Sequence, residues 1–123
     1  MLNKQDYINA IYQDIDIVKG DTLAFNFDIQ GLEGGEPTIT FTCREHYSDD
    51  GDPLFECSTD NDGIEIAAYN AVTDITTFSL WVSPTKTKEL DLARYYYDME
   101  LRLGEDVITL MRGRLTLVYE VTK

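Results

Sequence analysis

The sequence predicts an all-β domain, a sandwich or a barrel, on three observations. Apolar and polar residues alternate along seven or eight separate stretches, the period of strands with one face buried. Clusters of Gly, Asp, Asn, Ser and Pro punctuate those stretches roughly every 8 to 12 residues, as in sandwiches and barrels. The longest patterned region, Asp91 to Val121, reads as a β-hairpin. Tyr95, Tyr97, Met99, Leu101 and Leu103 share one face of its first arm, and Tyr96, Asp98, Glu100 and Arg102 share the other. Gly104-Glu105-Asp106 is its turn, and the second arm runs from Val107 to Val121.

Taken in order, Met1 to Ala10 is polar and reads as an N-terminal arm, leaving 11–123 as a single domain. Ile11 to Val18 alternates, with Ile11, Gln13, Ile15 and Ile17 on the core face. Lys19-Gly20-Asp21 turns the chain. Thr22 to Ile29 then places Leu23, Phe25, Phe27 and Ile29 inward, and a Gly-rich loop, Gly31 to Pro37, follows. Thr38 to Tyr47 is the clearest strand, with Ile39, Phe41 and Cys43 on its core side. A hairpin centred on Asp50 would return the chain along Leu54 to Ser58 and set Cys43 opposite Cys57. A short strand with Ile64, Ile66 and Ala68 comes next. Ile75 to Val82 follows, with Phe78, Leu80 and Val82 facing in and Trp81 facing out. Ser83-Pro84 starts one or two helical turns near residues 84–90, since Pro at the first helical position gives up no hydrogen bond. The expected core is Phe25, Phe27, Ile39, Phe41, Phe78, Leu80, Tyr95, Tyr97, Met99, Leu101, Leu115 and Leu117.

Charge and composition narrow the function. With 23 acidic and 10 basic residues the formal charge is −13, which disfavours phosphate backbones and anionic membranes. Neither a nucleic-acid nor a membrane partner is therefore expected. No apolar run reaches the roughly 20 residues of a membrane helix, and Met1 to Ala10 lacks the apolar centre of a signal peptide. Synthesis in the cytoplasm follows, and with it free thiols at Cys43 and Cys57.

No catalytic grouping is evident. Cys43 and His46, three apart on one strand, would point to opposite faces. Two Cys and one His do not fill a zinc site without carboxylates. Phosphate-binding, dinucleotide, nucleophile-elbow and zincin motifs are absent. No cofactor is implied. Ser58-x-Asp60-x-Asp62-Gly63-Ile64 resembles the start of a calcium loop, with Asp49 and Asp52 able to add oxygens. Its twelfth position is Tyr69 instead of a bidentate Glu, and turn-forming residues alone account for the pattern.

Two stretches invite closer reading. Gly113, between Arg112 and Arg114 inside a strand, marks a bulge or a close backbone approach. A bulge would bend the strand and re-aim one Arg. The two arginines either pair with Asp98 and Glu100 across the hairpin or form a basic patch for an acidic partner. Asp91-x-Ala93-x-Tyr95-x-Tyr97, after a short helical crossover, looks like the tyrosine corner of an immunoglobulin-like domain. Tyr95 would bond back to upstream backbone, and Tyr97 would fill the position of the second Cys. No Trp lies on the strand from Thr38 to Tyr47 and Cys43 has no Cys partner at Tyr97, so an antibody-type domain is not expected.

The chain from Asp16 to Lys123 resembles the small immunoglobulin-like domains of tailed-phage virions and prophages. The N-terminal domain of siphophage upper baseplate proteins is one such type. Two blocks carry the resemblance. One is Asp16-Ile17-Val18-Lys19-Gly20-Asp21-Thr22-Leu23-Ala24-Phe25-Asn26-Phe27. The other is Tyr95-Tyr96-Tyr97-Asp98-Met99-Glu100-Leu101 with Leu110-Met111-Arg112-Gly113-Arg114-Leu115-Thr116-Leu117. The resemblance implies an antiparallel β-sandwich of seven to eight strands. It also implies a non-enzymatic tail, baseplate or neck component that binds other virion proteins as a symmetric homo-oligomer. Two alternatives remain: an acidic nucleic-acid mimic that blocks a basic host protein, and a carbohydrate-binding module with Trp81 and Tyr96 as its platform.

Overall fold

The computed structural model describes residues 11–46 and 52–119, in two sheets packed as a sandwich. The arm expected over residues 1–10, Tyr47, Asp49, Asp50 and Val121 lie outside them. The front sheet contains β1 (Ile11–Tyr12), β2 (Ile15–Val18), β4 (Thr38–Arg44), β5 (Phe55–Ser58), β8 (Arg94–Leu103) and β9 (Asp106–Val118). Its order is β1-β9-β8-β4-β5, with β2 also on β9. The back sheet, in the order β3-β7-β6, contains β3 (Leu23–Gln30), β6 (Ile64–Asn70) and β7 (Ile75–Val82). One helical turn, α1 (Pro84–Thr87), lies on the connection from the back sheet to the front. Ser83 precedes it in extended conformation and gives no side-chain cap.

Alternation becomes burial as the periodicity dictates. Along β7, Thr76, Phe78, Leu80 and Val82 are buried, and Tyr95, Tyr97, Met99 and Leu101 are buried along β8. Ten of the twelve expected core residues are buried. Phe25 and Phe27 are only half-buried, because β3 is an edge strand and its inward rings sit at the margin of the sandwich. Phe41, fully buried, stacks on Tyr97 with centroids 5.0 Å apart and on Phe55 at 6.3 Å.

Four expectations are corrected. The first strand is not continuous: it breaks at Gln13 and Asp14, and Gln13 is exposed instead of core. Both halves pair with β9 in parallel, Ile11 with Met111 and Ile15 with Leu115, so the sandwich is mixed and not wholly antiparallel. In the β4–β5 hairpin Cys43 faces Phe55 and Phe41 faces Cys57, so the two cysteines are not directly opposite. Finally, the bulge in the closing hairpin is not at Gly113. The register shifts between Met99 and Glu100, where Met99 pairs with Met111 and Glu100 with Thr109, leaving Leu110 as the extra residue. That extra residue reverses the inward parity of β9, from Ile108 and Leu110 to Gly113, Leu115 and Leu117. The hairpin turn itself is two residues, Gly104-Glu105, with positive φ at the first only, as a type II′ turn has.

Candidate interaction surface

Gly113 pairs in register with Tyr97 and is buried under the break in the first strand. A Cβ on Gly113 would lie 2.2 Å from the backbone oxygen of Gln13 and 3.2 Å from the Tyr97 ring. The glycine therefore serves a close backbone approach. The Gln13 carbonyl takes the space of the missing side chain and accepts a hydrogen bond from the Tyr97 hydroxyl. The break is tied down further by Gln13 N–H to Arg112 O at 2.9 Å and by Arg114 N–H to Asp14 Oδ1 at 3.1 Å. Two residues earlier on β8, the Tyr95 hydroxyl donates to Asp91 O at 2.9 Å, the local contact expected of a tyrosine corner. Tyr95→Phe should lower unfolding free energy by about 1 to 2 kcal/mol without changing the fold, because Asp91 O loses its donor. Urea melts would check this, and an unchanged midpoint would show that the corner bond adds nothing.

The break, by fixing β9 and β8, also fixes what the front sheet shows outward. The chain's five arginines are Arg44, Arg94, Arg102, Arg112 and Arg114. All five sit at solvent-facing positions of β4, β8 and β9. Cross-strand register sets Arg44, Tyr96 and Arg114 in one row and Thr42, Asp98 and Arg112 in the next. Arg94 extends the face toward the other end of β8, opposite Thr116. Directly opposed side chains of this kind stand about 5 Å apart at Cβ. Arg102 and Glu100 form an ion pair of 2.8 Å along their own strand. Of the expected pairing of Arg112 and Arg114 with Asp98 and Glu100, the register sets Asp98 opposite Arg112, whereas the Leu110 bulge moves Glu100 opposite Thr109 and the ion pair of Glu100 is with Arg102. Burial, then the Glu100 charge, push the Asp98 carboxyl above its ordinary range, and Arg44 opposes that shift.

The other sequence candidates are scattered. Trp81 and Tyr96 are both half-buried and face outward from different sheets, so no shared ring platform forms. Cys43 and Cys57 are free and buried. Burial pushes their thiols up to about 12 and about 11, respectively, so both stay protonated at neutral pH. His46 is exposed just beyond β4. In the Ser58–Gly63 turn, Ser58 Oγ accepts from Asn61 N–H at 3.0 Å, and Asp62 pairs with Lys86 at 3.3 Å. Asp60 and Asp52 are exposed. Among the described residues no group of three or more His, Cys, Asp and Glu side chains converges as a metal site. Carboxylates occur on both sheets and in the loops: Asp28 and Glu65 on the back, Glu56 and Asp98 on the front, Asp60 and Asp62 between strands. No helix among the described residues is long and apolar enough to cross a membrane.

Sequence reasoning had singled out Arg112, Arg114 and Tyr96 but not Arg44 or Arg94. Each of those two sits at an outward position of its own strand, a readable signal, yet their convergence depends on the β9-β8-β4 order. No protein-family model matches the chain, and no curated protein matches it significantly.

Proposed function

We propose that the chain is a non-enzymatic immunoglobulin-like component of a tailed-phage or prophage virion, in the tail, baseplate or neck, working through protein–protein contacts. The observation that carries the proposal is the strand order combined with the Tyr95 corner. The back sheet β3-β7-β6 matches the B-E-D strands of an immunoglobulin sandwich, and β9-β8-β4-β5 matches G-F-C plus an added C′ strand. Tyr95 bonds to backbone four residues upstream, at the start of the strand that corresponds to F, where the corner belongs. Tyr97, two residues on, would fill the second-Cys position in this reading, and it packs on Phe41. This supports the likeness of the Asp16–Phe27 and Tyr95–Leu117 blocks to virion domains.

The chemistry of the surface supports a binding role. The front sheet offers an Arg and Tyr face, and both residue types are enriched where protein partners bind. The test is twofold: light scattering for oligomeric mass, and capture of the products of adjacent genes by the tagged protein. A symmetric oligomer, or retention of a virion protein, is expected. A strictly monomeric protein that retains no virion protein would overturn the proposal.

A further inference from the structure

We infer that the outer face of β9-β8-β4, centred on Tyr96 and the surrounding arginines, is a docking surface for a carboxylate-rich segment of a partner protein. The inference rests on the binding role proposed above and names the surface and its ligand chemistry.

The segregation of cation type comes first. Every arginine of the chain is on this one sheet face. The described lysines are elsewhere, in connections: Lys19 after β2, donating to Leu90 O at 2.6 Å, and Lys86 and Lys88 in or just after α1. The two cations differ in use. A guanidinium presents a planar fork that meets a carboxylate through two parallel hydrogen bonds, whereas an ammonium is a strongly hydrated point charge. Concentrating the former on one flat face gives that face a preference for planar anions.

Geometry comes second. Arg114 and Arg44 flank Tyr96 from its two neighbouring strands, and Arg112 lies diagonal to it, about 7 to 8 Å away at that spacing. Arg94, Arg112 and Arg114 are exposed, and Tyr96 is half-buried among them. The result is a rigid aromatic centre on central strands, with four arginines around it and Asp98 as its acidic neighbour along β8.

Charge complementarity selects the occupant. The β9-β8-β4 face sets five arginines against Asp98 and Glu100, whereas the rest of the chain holds five lysines against all the other acidic residues of the 23. A long uniform polyanion such as nucleic acid would meet that negative field along its length. A short acidic protein segment spans little more than this arginine-rich face, and screening weakens charges farther than about 8 Å away at physiological salt.

The test is a titration of the full-length protein with a short polyglutamate peptide, followed by amide chemical shifts and isothermal calorimetry. Shifts should cluster on Arg94, Tyr96, Arg112 and Arg114, and affinity should fall as salt rises. The double variant R112E/R114E should bind at least about tenfold more weakly. Lys88→Glu, in a connection, should bind as the parent does. Asp98→Asn, which removes the carboxylate directly opposite Arg112, should bind more tightly and serves if the double variant folds poorly. Shifts centred elsewhere, equal affinity in R112E/R114E, no gain in Asp98→Asn, or tighter binding of an oligonucleotide of equal charge would each overturn the inference. The two readings fail separately. Normal assembly by R112E/R114E would remove this surface and leave the virion role standing. Peptide binding by a monomer that retains no virion protein would do the reverse.

Discussion

Gly113→Ala should lower the thermal midpoint by about 10 °C. The added methyl would lie 2.2 Å from the Gln13 oxygen, which is backbone and has no rotamer by which to withdraw. Relief requires moving the break between β1 and β2 outward, which strips the Tyr97 hydroxyl of its acceptor and stretches the bonds from Gln13 N–H and to Asp14 Oδ1. Overpacking of this kind costs about 3 kcal/mol, and a domain of this size loses roughly 3 to 4 °C per kcal/mol. Scanning calorimetry of the variant beside Tyr97→Phe separates the parts. Tyr97→Phe removes only the hydroxyl bond and should cost about 1 kcal/mol. A Gly113→Ala protein that melts with the parent would show that the first strand does not sit over Gly113.

Phe41→Ala should cost about 4 kcal/mol, the middle of the range expected when a large buried ring leaves a cavity. Phe41 is fully buried on a strand with neighbours on both sides and touches two rings, Tyr97 and Phe55, that come from those neighbours. Neither neighbour can collapse into the gap without leaving its own ladder. Chemical denaturation should show a lower midpoint with the slope unchanged, and Phe41→Leu should recover more than half of the loss. A loss under about 1 kcal/mol would mean that the sheets close over the vacancy and that the core is looser than its burial implies.

Much of the architecture is legible in the chain because burial of one sheet face writes a two-residue period. The periods of β7 and β8 translate directly into which side chains are buried. Tyr95 is legible too, since its partner lies four residues away. What periodicity does not carry is direction or neighbour. Nothing in Ile11 to Val18 says that it runs parallel to β9, and nothing in Cys43 or Cys57 fixes the hairpin offset that separates them. The Leu110 bulge had a signal: apolar residues shift from even positions, Ile108 and Leu110, to odd ones, Leu115 and Leu117. Gly113 drew attention away from it. Gly113 answered for the other reading, a close backbone approach, and only the identity of the backbone passing over it, Gln13, lies beyond a local pattern. The arginine face was half visible for the same reason, as parity places each Arg outward and only sheet order gathers them.

The parallel seam between the first strand and β9 also bears on how the protein is made. Asp14 and Arg114, joined across that seam, are 100 residues apart. Contacts of such separation slow folding, because a long loop must be ordered before they are rewarded. During translation the first strand leaves the ribosome about 100 residues before the part of β9 that it pairs with and waits for β9 to follow it out. The hairpins can form as they appear, whereas closure of the front sheet waits for β9.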